Sequence, residues 1–420
     1  MSNKPNLFAD RNFRWLIGGG AISMLGDQFT LVALPWLVLK LTGDSLILGL
    51  VLAVMSVPRA VFILLGGAVT DRYAPKRVLM LTKYANLILL GGLAALVLSG
   101  QLQLWMLFGL GFLIGLASAF SIPSGSSIMP LMIGPDRLQA ANGVLMALRQ
   151  ITLLLGPLLA GLLIVLFGDR AAAATDTTGI GLAFLCDAAS FGISAWTLTK
   201  VVAITERAAT DDAMLAAVVA GLKHFWNDHG LRTLCLYFCA TAVFIGGPAQ
   251  VALPVLAATR LGDGAAGYGS LMAAHGAGTL IGMILSGVRP NWRLGTLGLT
   301  ILAVDALAGA LLIPMGRIEA LWQGAALLLP LGLLAGFMQV TVFTWMQRRV
   351  PPAMLGRAMS LFMFIFMGVA PISAGITGWL MRSLSLEQVF AGSGMILILI
   401  VLLALANPRV RAIGAPVAGT

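Results

Sequence analysis

Long apolar segments separated by short polar ones run along almost the whole 420-residue chain. A membrane-spanning helix needs about 20 mostly apolar residues, and twelve segments meet that requirement. They cover residues 15–39, 46–69, 78–98, 102–122, 140–167, 178–199, 231–258, 268–288, 294–315, 321–345, 359–381 and 389–406. The pattern therefore predicts an all-α membrane protein with twelve transmembrane helices.

One long polar stretch, residues 200–230, divides these segments into two groups of six. Residues 213–226 within it have the pattern of an amphipathic helix that lies on a membrane surface. We therefore expect an N-terminal six-helix half (1–199), a cytoplasmic linker (200–230), and a C-terminal six-helix half with a short cytoplasmic tail (231–420).

The two groups repeat each other at a nearly constant offset, which makes them pseudo-symmetric halves. The sequence Val32-Ala-Leu-Pro35 recurs as Val251-Ala-Leu-Pro254, and Gly49 corresponds to Gly269. The further matches are Gly67 with Gly287, Gly111 with Gly332, and Gly115 with Gly336. Two parallel six-helix halves predict a transporter whose substrate binds between the halves near the bilayer midplane.

Composition supports a membrane protein, and charge gives its orientation. Hydrophobic residues make up 59% of the chain and charged residues only 10%, against about 25% in soluble domains. The net charge of +10 lies in short loops, so it indicates topology and not a nucleic-acid partner. Nineteen of the 26 Lys and Arg residues, Lys83 among them, fall on the side of the N-terminus and five on the opposite side. The positive-inside rule then predicts that both termini are cytoplasmic.

The segment after the second span, Gly67-Ala-Val-Thr-Asp71-Arg72-Tyr-Ala-Pro-Lys76-Arg77, resembles the signature loop of the major facilitator superfamily. The resemblance extends over essentially the whole chain, although Ala74 stands near a family glycine and Pro75 is unusual. It implies that Asp71 contacts the start of the eleventh span near Gly356, where a helix N-terminus favours an anion, and so latches the two halves. Alternatively, the basic residues of this loop only anchor the topology.

A second motif, Gly156-Pro157-Leu-Leu-Ala160-Gly161, resembles the Gly-Pro motif of antiporters in the same superfamily. Its alternative role is a packing kink, because Gly and Pro are common in membrane helices. The segments Leu25-Gly-Asp27, Val32-Ala-Leu-Pro-Trp36 and Val350–Ser360 resemble the branch that contains macrolide and siderophore exporters.

Charges within the spans are candidates for transport chemistry, because each costs about 2.5–3.5 kcal/mol at a helix centre. Asp27 lies near the middle of the first span, and Arg59 is its expected ion-pair partner. Exchange of that partner for a proton or substrate would couple the two fluxes, whereas a static pair would only hold the first two spans together. Arg149 in the fifth span is a third candidate for coupling. The secondary candidates are Asp187, Asp305 and His275.

Polar and aromatic residues within the spans are candidates for lining a substrate cavity, although such residues also face lipid or pack in cores. They are Gln28, Trp36, Phe244, Gln250, Gln339 and Trp345.

These features predict a proton-coupled antiporter that exports small amphiphilic compounds, of the drug, macrolide or siderophore class, from a bacterial-type inner membrane. The chain shows no nucleotide-binding motif, so an ion gradient is the expected energy source. We expect no cofactor, metal or nucleic-acid partner, and a monomer. A lysophospholipid flippase-type transporter is an alternative, and a membrane enzyme or receptor a further one. Three scattered histidines argue against an enzyme.

Overall fold

The computed structural model describes residues 7–133, 135–168, 176–202, 229–261, 264–289, 292–349 and 368–413. Within these ranges the regular structure is helical. The helices of the N-terminal half are α1 (Arg11–Thr42), α2 (Ser45–Arg72), α3 (Pro75–Leu98), α4 (Leu104–Met132), α5 (Pro135–Gly168) and α6 (Thr178–Thr199).

The helices of the C-terminal half vary more in length. They are α7 (His229–Gly247), α8 (Leu253–Arg260), α9 (Gly264–Val288), α10 (Leu297–Leu312), α11 (Leu321–Arg349), α12 (368–380), α13 (Leu386–Ala406) and α14 (Pro408–Arg411). A π-helical turn, Pro248–Ala252, joins α7 to α8, so these two helices form one span, Gly230–Arg260.

Eleven helices of the described residues are long and apolar enough to cross a membrane. Helix α12 coincides with the end of the expected eleventh span, 359–381, whose beginning lies outside the described residues. The prediction of an all-α, multi-span membrane protein is confirmed. The expected amphipathic helix of the linker, residues 213–226, lies outside the described residues.

The surface of the helices is suited to lipid. Large apolar side chains are exposed along them, as on α13, where Leu402 and Leu403 are 57% and 66% exposed. In water such an apolar surface would favour aggregation. A bilayer is the solvent that this surface fits.

Local signals place the ends of α1. The Asp10 carboxylate accepts hydrogen bonds from the backbone N–H groups of Asn12 and Phe13, at 2.9 and 3.2 Å, and so caps the first turn. Gly43 ends the helix in a left-handed conformation with φ 62°, which glycine adopts without the steric cost of a side chain.

The helices form two compact units. Unit 1 comprises Met1–Gly43, Val54–Asp211 and Asp263–Ala273, and unit 2 comprises Asp44–Ala53, Asp212–Gly262 and Ala274–Thr420. The units follow the two sequence halves except at the starts of α2 and α9. Each of those starts belongs to the unit formed mainly by the other half.

The exchanged segments make matching contacts, each within its own unit. In unit 1, Gly269 at the start of α9 lies against the Pro157 carbonyl of α5. In unit 2, Gly49 at the start of α2 lies against the Ala374 carbonyl of α12. Because Gly49 and Gly269 are paired by the sequence repeat, the repeat is also present in the packing.

An ion pair in unit 2 supports the contact between the start of α2 and the end of α12. Arg382 donates a hydrogen bond to the Asp44 carboxylate at 2.8 Å. This hydrogen bond lowers the pKa of Asp44, and the backbone N–H of Leu46 contributes in the same direction.

Candidate functional site

Asp27 lies at the middle of α1, with its side chain exposed although many protein atoms surround it. On a helix it shares a face with Gly20, Met24 and Leu31, because residues three and four apart are stacked. The charges that act on it most strongly are Lys83 of α3 and Arg59 of α2. Asp27 is therefore an exposed carboxylate that interacts electrostatically with two cations.

Lys83 is a residue of this site that the sequence analysis assigned to the cytoplasmic side. Helix α3 begins at Pro75, so Lys83 lies eight residues, or about 12 Å, inside it. Its Nζ donates a hydrogen bond to Ser23 Oγ at 2.8 Å and lies 4.7 Å from the centre of the Phe191 ring. Lys83 interacts electrostatically with both Asp27 and Asp187.

Asp187 of α6 is the second carboxylate of the site, and its side chain is only 1% exposed. Thr30 of α1 donates a hydrogen bond to Asp187 Oδ2, and Ser190 donates one to Oδ1 at 3.3 Å. A Cβ at Gly26 would overlap Ser190, so Gly26 allows α1 to approach α6 this closely. We call Asp27, Lys83 and Asp187 the acid–lysine cluster.

Arg59 adds a fourth charge beside this cluster. Its Nη2 lies 3.5 Å from Ser56 Oγ, and its Nε is buried without a hydrogen-bond partner among the described residues. Arg149, by contrast, has an exposed side chain on α5 and is not one of the charges that act on Asp27. Asp27 thus interacts with both Arg59 and Asp187, whereas the structure records no such interaction for Arg149 among the described residues.

The Gly-Pro segment of α5 is a packing surface inside unit 1. A Cβ at Gly156 would overlap the side chain of Gln28 on α1, next to Asp27. Pro157 and Gly161 lie against the start of α9, where Gly161 approaches the backbone of Ala265. This segment therefore sets the distance of α5 from both α1 and α9.

The signature loop is described only in part. Lys76 Nζ donates a hydrogen bond at 2.6 Å to the Val201 carbonyl, just beyond the end of α6. Arg72 and Arg77 are exposed, and Gly67 is partly buried in the last turns of α2. The side chain of Asp71 and the expected latch position near Gly356 lie outside the described residues.

The other intramembrane candidates lie in unit 2. The Tyr237 hydroxyl donates a hydrogen bond at 2.7 Å to the Asp305 carboxylate, which joins α7 to α10. The backbone carbonyl of His275 on α9 accepts from Thr279 at 2.9 Å and lies against Gly332 of α11. Both residues therefore take part in helix packing.

The expected cavity residues are divided between the units. Gln28 and Trp36 belong to unit 1, and their Oε1 and Nε1 atoms are buried without hydrogen-bond partners among the described residues. Such orphaned polar atoms are costly. The residues of unit 2 are Phe244, Gln250, Gln339 and Trp345, with Gln250 in the π-helical turn and Arg349 over the Trp345 ring.

A repeated bundle of membrane helices with several interacting charges inside one unit is the arrangement of a transporter of the multi-span, two-half class. A family model agrees with this class: the Major Facilitator Superfamily model matches residues 16–374. The chain belongs to the Major Facilitator Superfamily, and it is a transporter and not an enzyme.

Curated relatives match most of the chain. The multidrug efflux pump Tap of Mycolicibacterium fortuitum is 23% identical over 92% of this chain and 93% of that protein. The macrolide efflux protein A of Streptococcus pyogenes is 22% identical over 92% and 94%. The enterobactin exporter EntS of Shigella boydii is 24% identical over 83% and 80%.

A solved structure agrees with the fold. The crystal structure of a bacterial homologue of the iron transporter ferroportin, in an inward-facing state, aligns with a TM-score of 0.69 at 18% identity. The alignment covers 97% of this chain and 99% of that one. The relatives named above are efflux proteins, so the lysophospholipid alternative gains no support from them.

Proposed function

We propose that the chain is a proton-coupled antiporter that exports small amphiphilic compounds by alternating access. The observation that carries the proposal is the acid–lysine cluster, in which the exposed carboxylate of Asp27 lies near the buried Asp187 and the half-buried Lys83. Charges inside membrane spans are costly and mark ion or substrate pathways. The similarity to three efflux proteins supports the export direction.

The two carboxylates of the cluster have different surroundings, which suggests different roles. Asp187 is buried and receives hydrogen bonds from Thr30 and Ser190, so it acts as a fixed counter-charge for Lys83. Asp27 is exposed and can exchange its partner. When Asp27 binds a proton, Lys83 still interacts electrostatically with Asp187, whereas Arg59 loses the negative charge that acts on it.

Competition for Asp27 accounts for exchange. A proton and a cationic group of the substrate cannot occupy the same carboxylate, so each displaces the other. If the transporter reorients only when Asp27 is occupied, the two move in opposite directions across the membrane. The proton gradient then supplies the energy, without a bound cofactor.

The proposal is tested by substrate-driven proton flux in vesicles that contain the purified protein and an internal pH dye. A gradient of a macrolide antibiotic should drive proton movement with the wild type. The Asp27→Asn variant removes the titratable group at nearly constant volume, and it should reduce the flux to that of protein-free vesicles. Proton exchange by Asp27→Asn at the wild-type rate would refute the coupling role.

A matched control is Asp305→Asn, which removes a membrane carboxylate of unit 2 that is bonded to Tyr237. We expect this variant to retain at least half of the wild-type flux. An equal loss in both variants would mean that any missing membrane charge disables the protein.

The substrate class is decided in the same assay. The 24% identity to an enterobactin exporter favours a siderophore as the second candidate. Enterobactin and the macrolide are therefore supplied separately, and the compound that drives proton movement identifies the class. We further propose that the protein acts as a monomer in a bacterial-type inner membrane, with both termini in the cytoplasm.

A further inference from the structure

A groove between α1 and α6 lies on the surface of unit 1. It has a volume of about 550 Å³ and is lined by Arg11, Arg14, Trp15, Gly18, Ile22, Ile193, Trp196 and Thr197. This volume is within the ~300–1,000 Å³ range of small-molecule sites. The groove is separate from the acid–lysine cluster, because Gly18 and Asp27 are nine residues apart and so lie on opposite faces of α1.

One end of the groove is cationic. Arg11 and Arg14 are exposed in the first turns of α1, and neither guanidinium has a carboxylate partner among the described residues. The nearest acid in sequence, Asp10, caps α1 and pairs with Arg137 at 3.7 Å. Lys200 adds a third positive charge, 5.8 Å from the centre of the Trp196 ring.

The rest of the groove is apolar and begins with aromatic side chains. Trp15 and Trp196 pack edge to face with ring centres 5.4 Å apart, an amphipathic pair typical of the membrane–water interface. Beyond them lie Gly18, Ile22 and Ile193. A Cβ at Gly18 would meet no atom within 4 Å, so the missing side chain leaves this part of the groove open.

The dimensions agree with one leaflet of a bilayer. Arg11 and Ile22 are eleven residues apart, or about 16 Å along the helix, close to half of the ~30 Å hydrocarbon core. We propose that this groove binds an anionic glycerophospholipid, with the phosphate at Arg11 and Arg14 and an acyl chain along Gly18 and Ile22. Basic pockets between membrane helices bind anionic lipid headgroups in this way. A cationic amphiphile would be repelled by the same three charges.

Native mass spectrometry of the purified protein tests the lipid class. Phosphatidylglycerol and phosphatidylcholine with identical acyl chains are added at equal concentrations, and retained adducts are counted. We expect the wild type to bind one phosphatidylglycerol in preference to phosphatidylcholine. Equal binding of the two lipids would overturn the proposal.

Paired variants then locate the site. The double variant Arg11→Gln/Arg14→Gln should bind phosphatidylglycerol about 30-fold more weakly, on the basis of about 1 kcal/mol per surface cation. The matched control is Arg409→Gln/Arg411→Gln, which removes two exposed arginines from unit 2 and should change binding less than twofold. Equal losses in the two double variants would indicate a general surface-charge effect and overturn the assignment.

A filling variant tests the apolar part. Gly18→Leu should weaken binding of both lipids, whereas Gly109→Leu should not, because Gly109 is also exposed with no atom within 4 Å of a Cβ. Unchanged lipid binding by a folded Gly18→Leu would overturn the placement of the acyl chain. If Gly18→Leu does not fold, the comparison of Arg11→Gln/Arg14→Gln with Arg409→Gln/Arg411→Gln tests the location of the site.

Two competition experiments exclude other occupants. Inorganic phosphate at millimolar concentration should not displace phosphatidylglycerol, since the acyl chain contributes to binding. Displacement by phosphate alone would make the groove an anion site and refute the lipid assignment. A cationic macrolide is the second competitor. If it displaces the lipid from the wild type and not from Gly18→Leu, the groove is assigned to substrate instead.

Discussion

At the scale of single residues, the stability of the acid–lysine cluster depends on Lys83, which interacts with both carboxylates and bonds to Ser23. Without Lys83, the buried Asp187 carboxylate loses the positive charge that acts on it, and a buried charge without compensation is costly. Lys83→Met should therefore lower the apparent Tm in detergent by several degrees. Adding Asp187→Asn to Lys83→Met should restore part of the loss, since it removes the stranded carboxylate.

A double-mutant cycle on Lys83 and Asp187 measures this coupling. The apparent Tm is recorded for the wild type, both single variants and the double variant. If the two single losses add up in the double variant, Lys83 and Asp187 are independent and the cluster is not a unit. Lys83→Arg, which retains the charge, serves as the conservative control.

The sequence predicts the members of the site unequally. Asp27 was predicted because a carboxylate twelve residues into an apolar run has few explanations. Lys83 was not predicted, because it follows the basic residues Lys76 and Arg77. A lysine in such a place can extend its long aliphatic side chain towards the membrane interface, which is the simpler interpretation. Its inward direction depends on Ser23 and Asp187, which are distant in sequence. Contacts of this kind leave no periodic signal along the chain.

At the scale of helices, the repeated glycines are contact points that should not tolerate a side chain. A Cβ at Gly269 would overlap the Pro157 carbonyl, and one at its repeat partner Gly49 would lie 2.6 Å from the Ala374 carbonyl. Because backbone atoms cannot move aside cheaply, Gly269→Ala and Gly49→Ala should each lower stability by about 1–3 kcal/mol. Gly91→Ala on α3 meets no atom within 4 Å and should be neutral or slightly stabilising.

Thermal unfolding of the three alanine variants checks this expectation. Matching losses at Gly269 and Gly49, with none at Gly91, would show that both units rely on the same contact. A loss at Gly91 equal to the others would instead reflect a general sensitivity of the helices to added side chains.

Helix patterns account for the spans better than for their contacts. Run length and charge placed the spans close to their observed positions, because a bilayer imposes a narrow range of apolar lengths. The sequence did not predict that the starts of α2 and α9 each pack in the unit formed mainly by the other half, since apolar side chains can pack against many neighbours. The π-helical turn at Pro248–Ala252 was also missed, because an apolar pattern does not separate it from an ordinary α-helical turn.

At the scale of the whole molecule, the distribution of Lys and Arg predicts which loops face the cytoplasm. The correction for Lys83 leaves the bias large, since only one of nineteen residues moves from the cytoplasmic set into a span. The link between α3 and α4 should then lie outside the cell, and the link between α2 and α3 should lie inside. This prediction is independent of substrate and coupling, because it rests only on charge and span order.

Single-cysteine labelling of intact cells tests the orientation, in a background in which Cys186, Cys235 and Cys239 are replaced by serine. Gln101→Cys lies in the link between α3 and α4, where residue 101 is exposed, and a membrane-impermeant maleimide should label it in intact cells. Ala74→Cys lies between α2 and α3, is also exposed, and should be labelled only after permeabilisation. The reverse result would place the basic loops outside, and with them the Arg11 and Arg14 end of the α1–α6 groove. Because the two positions are separated by one helix, labelling of both in intact cells would contradict α3 as a span.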